Sequence, residues 1–219
     1  MNALGAYHER TSVIKIGGNS IAEDEHFLDK IAKQIRFLHD NHMRVVLVHG
    51  GGPQIDDALR DAGIETTKGK DGRRITSPKA MRVVHKVMNQ VNKQVADALI
   101  DVGCRKESIS YAAHHPKCFV QANPLDPVDG GTHNRSGKPA KVAHADINKL
   151  LQQGKILVLH SVGVGADGKN VFNINGDDYA MAIAIAIKAK RLILVTNVSG
   201  VLDKKRERIP AIDQAMTDR

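Results

Sequence analysis

Apolar residues along this chain follow two rhythms. Val45, Val46, Leu47, Val48 and His49 run on without a charge, as do Ile156–His160 and Arg191–Thr196 after its first residue. Runs of that length and composition predict strands buried on both faces. Val13, Ile14 and Ile16 predict a shorter strand that Lys15 interrupts. Between the strands the period changes. Glu23–His39 carries Phe27, Ile31, Ile35 and Leu38 at helical spacing, and Ser77–Ile100 carries Val84, Met88, Val91, Val95 and Ala98. The second stripe suits packing or a dimer contact better than a cofactor. Further helices are expected from Pro53 through Ile55, Ala58 and Leu59, over Asp146–Gln153, and over Asp178–Lys188, which is rich in small residues. Strands alternating with helices predict an α/β fold with a mostly parallel sheet covered on both faces.

Two stretches break the rhythm. Lys68–Arg74 is polar, with a turn at Asp71-Gly72. Gly103 to about Lys141 holds most of the prolines, the His114-His115 pair and Gly130-Gly131, and is expected to form loops and short hairpins on the substrate side. Adjacent histidines point in different directions in most backbones, so that pair reads as surface rather than as a metal site. Gly163-Val-Gly165-Ala-Asp-Gly168 matches a dinucleotide-binding pattern, and Gly163–Asn170 nearly matches a P-loop. Both motifs need a helix directly after the glycines, whereas Asn170–Asn175 reads as a strand, so a glycine-rich hairpin is expected instead.

Composition narrows the picture. With 219 residues, 42% of them hydrophobic, the chain suits one large α/β domain. Only 3% are aromatic, so the core must be aliphatic. The net charge of +8 favours anionic ligands, but the basic residues are scattered and few aromatics could stack on bases. Nucleic acid is therefore not the expected partner. Cys104 and Cys118 lack a metal or disulfide spacing. No apolar run approaches membrane-spanning length and the first residues lack a signal peptide's apolar region, so a cytoplasmic protein is expected, with no membrane partner.

The chemistry concentrates where strands stop in glycines. The strand ending at His49 meets Gly50, Gly51 and Gly52 before Pro53 opens a helix. The first strand meets Gly17 and Gly18, with Asn19 or Ser20 available to cap the next helix. Free N–H groups and the helix dipole at such corners attract anions. Lys15, two residues before one corner, is placed to reach a phosphate. A third corner, Asn173-Ile174-Asn175-Gly176-Asp177-Asp178, puts two asparagines at alternate strand positions, and Asp177 can cap its helix.

Taken in order, KIGGN, HGGGPQI, GRRIT, AMRVVHKVMNQVNK, NINGDD and LVTNVSGVLD resemble the amino-acid kinase family, over about Val13 to Ile212. The resemblance is strongest to its acetylglutamate-phosphorylating branch. It implies a three-layer αβα sandwich around a central, mostly parallel sheet. It implies transfer of the γ-phosphoryl group of ATP, with Mg²⁺, to the side-chain carboxylate of N-acetyl-L-glutamate, as in arginine biosynthesis. Lys15 and Asp177 would be catalytic, the aspartate orienting the lysine. Gly17, Gly18, Gly50 and Gly51 would bind phosphates. Gly51, Gly52, Arg74 and Asn173 would bind the acceptor, Arg74 clamping its α-carboxylate. Thr196, Asn197, Gly200 and Leu202 would line the nucleotide site. No residue is implied as a metal ligand.

The chain also departs from the family. It ends at Arg219, where family members continue with a segment that supplies a second lysine. Ser110–His115 stands in place of a glycine-serine-glycine-lysine loop, which leaves the acceptor open, a carrier-linked aminoadipate included. Asn197 replaces a usual aspartate. One domain is expected, with about 1–160 as its acceptor half and 161–219 as an incomplete nucleotide half. A homodimer is expected rather than a hexamer. A non-catalytic relative that binds nucleotide or acylamino acid as a regulatory subunit is the alternative.

Overall fold

The computed structural model describes residues 10–69, 72–111, 118–126, 130–198, 200–203, 205 and 207–211. Five parallel strands form its central sheet. They are β1 (Thr11–Ile16), β2 (Arg44–His49), β3 (Ile109–Tyr111), β6 (Ile156–His160) and β9 (Arg191–Val195), in the order β3-β6-β2-β1-β9. Strand alternation sorts the core into two layers. Ile14, Ile16, Val45, Leu47, Ile156 and Val158 pack on one side. There they meet α2 (Phe27–Asp40), α3 (Gly52–Asp61) and α4 (Pro78–Asp101). Val13, Val46, Val48, Leu157 and Leu159 face the other way, against α5 (His144–Gln152) and α6 (Gly176–Ala186). The result is the expected three-layer αβα sandwich. Four short strands stand apart as a closed barrel: β4 (Val120–Pro124), β5 (Ser136–Val142), β7 (Val162–Val164) and β8 (Val171–Ile174). The Gly163–Asn170 hairpin belongs to it, since β7 and β8 pair antiparallel.

Several elements differ from expectation. The helix predicted over Glu23–His39 is two helices, α1 (Gly18–Glu23) and α2. The Asp24 carboxylate accepts the His26 N–H at 2.9 Å, a local bond that competes with helix continuation. Asn19 and Ser20 lie inside α1, whose N-cap is Gly17 with no side-chain cap. Asn175 lies outside β8 and is the N-cap of α6, accepting from the N–H groups of Asp177 and Asp178 at 2.9 and 3.2 Å; Asp177 is not the cap. The predicted stripe of α4 packs as expected, with Val84, Met88, Val91 and Val95 buried in the core. The Arg191–Thr196 run forms β9, but as a sheet edge rather than a strand buried on both faces: Leu192, Ile193 and Leu194 are 38, 39 and 48% exposed. Residues 112–117, which include His114 and His115, fall outside the described residues, as do Asp71 and Ile212.

Candidate active site

Four strands of the sheet stop at one level. Ile16 pairs with His49 and with Val195, and His49 pairs with His160. The crevice beyond the carboxyl ends of parallel strands is where open α/β sheets take ligands. Here it is lined by both glycine corners.

The corners touch each other. A Cβ built on Gly18 would lie 2.6 Å from the Gly52 nitrogen and 2.9 Å from the Gly51 nitrogen. A methyl group there would cover the two N–H groups that begin α3. Neither α1 nor α3 has a side-chain cap. Their leading N–H groups are thus left for an anion or for water. The Gly50 N–H is spent on the Ile16 carbonyl at 3.1 Å, which ties the second corner to the first strand. Gln54, one turn into α3, donates to the Gly18 carbonyl at 3.4 Å, while its Oε1 is buried without a partner among the described residues. Gly51 also has no room for a side chain, because its Cβ would meet the Met88 sulfur at 2.9 Å.

His49 sets the orientation of this loop. The Asn92 side-chain amide donates to His49 Nε2 at 2.9 Å and to the Val158 carbonyl at 3.1 Å. Nε2 therefore accepts, the proton sits on Nδ1, and Nδ1 donates to the Gly50 carbonyl at 3.0 Å. In a trans peptide the next N–H points the opposite way, so pinning the Gly50 oxygen aims the Gly51 N–H away from His49. Burial lowers the His49 pKa from 6.5 to about 4, which keeps the ring neutral and this arrangement intact.

Lys15 follows from strand alternation. It shares a face with Val13, the face that α6 covers, and its Nζ lies 2.9 Å from Asp177 Oδ1. Gly176 makes room, since a Cβ there would lie 3.3 Å from the lysine Cε. The lysine side chain is 16% exposed and the aspartate 55%, so the cation is set within the wall and the carboxylate faces the opening.

The loop before α4 brings two arginines to the same region. Arg74 is turned inward, paired with the Asp56 carboxylate of α3 and donating to Thr66 Oγ1 at 2.9 Å. Arg73 pairs with Asp178 at 2.6 Å. Consecutive carboxylates in the first turn of α6 thus take cations from different elements. The Arg74 carbonyl accepts the Ser136 hydroxyl, Thr76 Oγ1 donates to it at 3.3 Å, and the Asn173 amide donates to Thr76 Oγ1 at 3.2 Å. Asn173 is therefore joined to the arginine loop although it is far away in sequence.

Of the expected nucleotide-site residues, Thr196 directly follows β9 and so stands beside the Gly17 corner, where the Val195 carbonyl is 3.9 Å from a Gly17 Cβ. Asn197 donates to the Glu23 carboxylate of α1 at 3.3 Å. Gly200 has φ +141°, and Leu202 bridges Arg208. These two form a small ribbon beyond β9, and among the described residues no bond of theirs reaches the glycine corners. His49, Gln54, Asn92 and the Arg73–Asp178 pair were not expected. A histidine closing a buried apolar strand is a signal for the first, because burying it demands hydrogen-bond partners.

Comparison with known proteins agrees with this geometry. The model of the amino acid kinase family matches residues 10–215. An acetylglutamate kinase of Afipia carboxidovorans is 36% identical over 216 residues, covering 94% of this chain and 71% of the relative. Among solved structures, smu.665 from Streptococcus mutans UA159 superposes with a TM-score of 0.77 at 31% identity, covering 89% of this chain and 75% of the other. A carbamate kinase from Giardia lamblia shares the fold at a TM-score of 0.62 and 19% identity, over 87% of this chain and 72% of its own.

Proposed function

The chain belongs to the amino acid kinase family, and from that premise we propose that it phosphorylates the side-chain carboxylate of N-acetyl-L-glutamate or a closely related acylamino acid, using ATP. The observation that carries this reading is the contact between two uncapped glycine corners, with the Lys15–Asp177 pair beside them. A carboxylate acceptor is ionised at neutral pH and needs no general base. The difficulty is to bring it against a polyphosphate. Catalysis of phosphoryl transfer is largely positioning and neutralisation of charge, which N–H groups and one lysine supply.

In this reading Gly17, Gly18 and Gly51 hold phosphate oxygens, whereas Gly50, expected to do the same, has its N–H tied to the Ile16 carbonyl and only shapes the loop. Lys15 meets the group in transit while Asp177 keeps its ammonium in line. Gly51 and Gly52 also face the acceptor carboxylate. Arg74 and Asn173 bind the rest of the acceptor, Arg74 through guanidinium N–H groups not used by Asp56 and Thr66. Thr196, Asn197, Gly200 and Leu202 line the nucleotide side. Among the described residues no three His, Cys, Asp or Glu side chains cluster to hold a metal ion. A Mg²⁺ ion would arrive on the nucleotide phosphates and neutralise part of their charge. No described helix is long and apolar enough to cross a membrane. We place the protein in the cytoplasm, as a homodimer, in arginine biosynthesis.

The test is ADP release by the purified chain with ATP and Mg²⁺, over a panel of N-acetylglutamate, N-acetylaspartate, N-acetylaminoadipate and free glutamate. Release that depends on N-acetylglutamate supports the reading. Equal release across the panel, or none, counts against it.

A further inference from the structure

A well-formed cavity lies outside this crevice. It has a volume of about 840 Å³ and opens between α4, the end of β6 and the four-stranded barrel. That volume is in the range of small-molecule sites. None of Lys15, Arg74, Asn173, Asp177 or the corner glycines lines it.

Its lining has a consistent chemistry. The floor is apolar, with Phe119, Leu159 and Val162. Two imidazoles face in, His85 from α4 and His160 from β6, their ring centroids 6.1 Å apart. His160 is only 6% exposed, and its Nδ1 is buried with no hydrogen-bond partner among the described residues. A buried polar atom left in that state is costly unless something else satisfies it. Lys141 and Lys169 line the same cavity from β5 and the β7–β8 hairpin, both exposed, and neither ammonium forms an ion pair among the described residues. No described aspartate or glutamate lines the cavity. Asp167, the nearest acid in sequence, accepts the N–H groups of Lys169 and Asn170 at 2.9 and 3.0 Å and also feels the Lys169 charge, so it offsets part of one of the two cations without lining the cavity.

We propose that this cavity binds a small amphipathic carboxylate, its apolar part against Phe119 and Val162 and its anionic end between Lys141, Lys169 and the two imidazoles. Burial, with His49 and His85 nearby, lowers the His160 pKa to about 3, so its ring is neutral and offers one donor and one acceptor rather than a charge. The anion is therefore selected by the two lysines. A cationic ligand finds no counter-charge among the described lining residues.

The experiment needs no turnover, so its outcome is independent of the phosphoryl-transfer reading. Hexanoate and hexylamine are titrated into the full chain, with histidine ring NMR signals as the readout. Saturable hexanoate shifts at His85 and His160, with none from hexylamine, are expected. In the double variant Lys141→Ala/Lys169→Ala the affinity for hexanoate should fall by about 10-fold or more, as expected for losing charge-assisted bonds. Both lysines are exposed, so an unchanged thermal melt checks that the variant is folded. The proposal is overturned if hexanoate gives no saturable shift, if hexylamine binds as well, or if the double variant keeps full affinity. Shifts that track protein concentration without any probe would show that a second copy fills the cavity, and would also overturn it.

Discussion

Gly18 and Gly52 belong to different strand–helix corners, yet a Cβ on the first would lie 2.6 Å from the backbone nitrogen of the second. The closeness is what makes one anion site out of two turns. It also separates glycines that look alike in sequence, because no described atom lies within 4 Å of a Cβ built on Gly52.

Gly18→Ala must push backbone against backbone, so it should destabilise the fold by about 1–3 kcal/mol, the usual cost of overpacking. It should also weaken ATP binding. Gly52→Ala, with open space around it, should leave the thermal melt nearly unchanged. Differential scanning calorimetry of the two variants checks the pair, and equal melts would contradict the close contact.

Lys15→Ala should lower kcat by roughly 100- to 1000-fold, the effect typical of losing one transition-state charge contact. Asp177→Asn should lower kcat less, since it leaves the ammonium in place but unaligned. Steady-state kinetics with saturating ATP and acceptor measures both, and a larger loss in Asp177→Asn would reverse the roles assigned to the pair.

Arg73 and Asp178 tie the arginine loop to the first turn of α6. Asp178→Asn should raise KM for the acceptor several-fold and leave KM for ATP unchanged. The exchange Arg73→Asp/Asp178→Arg should recover part of the acceptor affinity. Equal rises in both KM values would show that the pair supports the fold generally rather than the acceptor loop.

Acid should destabilise the protein through His49. Its pKa is 6.5 when unfolded and about 4 when folded, so the unfolded chain binds more protons between those values. The contribution is fully present above pH 6.5 and is lost as pH falls toward 4, amounting to roughly 3 kcal/mol. Buried His160, shifted in the same direction, adds to the slope. Chemical denaturation across that window should show stability falling with acid, and less steeply in His49→Gln. An unchanged slope in that variant would refute the role of His49.

Local signals carried much of the fold. The corners after β1 and β2 were legible because an apolar run followed by glycine has few other solutions. The α4 stripe was legible because twenty-four helical residues repeat their period many times. The Asp24 break was not, since a single Asx-type bond decides it against a continuing helical pattern. The exposure of β9 was not legible either: RLILV reads as a buried strand, and its place at the sheet edge depends on pairing with β1. Of the barrel strands, β8 and the hairpin before it were legible, while β4 and β5, polar and interrupted by proline, carry no period long enough to mark them. Within the candidate site, Lys15 was legible from its place in a strand two residues before a glycine corner. Its pairing with Asp177 depends on which face of β1 is covered by α6. Local spacing does not contain that information, and it came through the family resemblance.

The crevice between the two glycine corners should transfer phosphate to a carboxylate. Trapping with hydroxylamine measures this directly, because an acyl phosphate reacts with it to give a hydroxamate. With ATP, Mg²⁺ and N-acetylglutamate the chain should give hydroxamate, and Lys15→Ala should give almost none. Hydroxamate yield equal in the two proteins, or no hydroxamate from the unaltered chain while it still binds both ligands, would contradict the account.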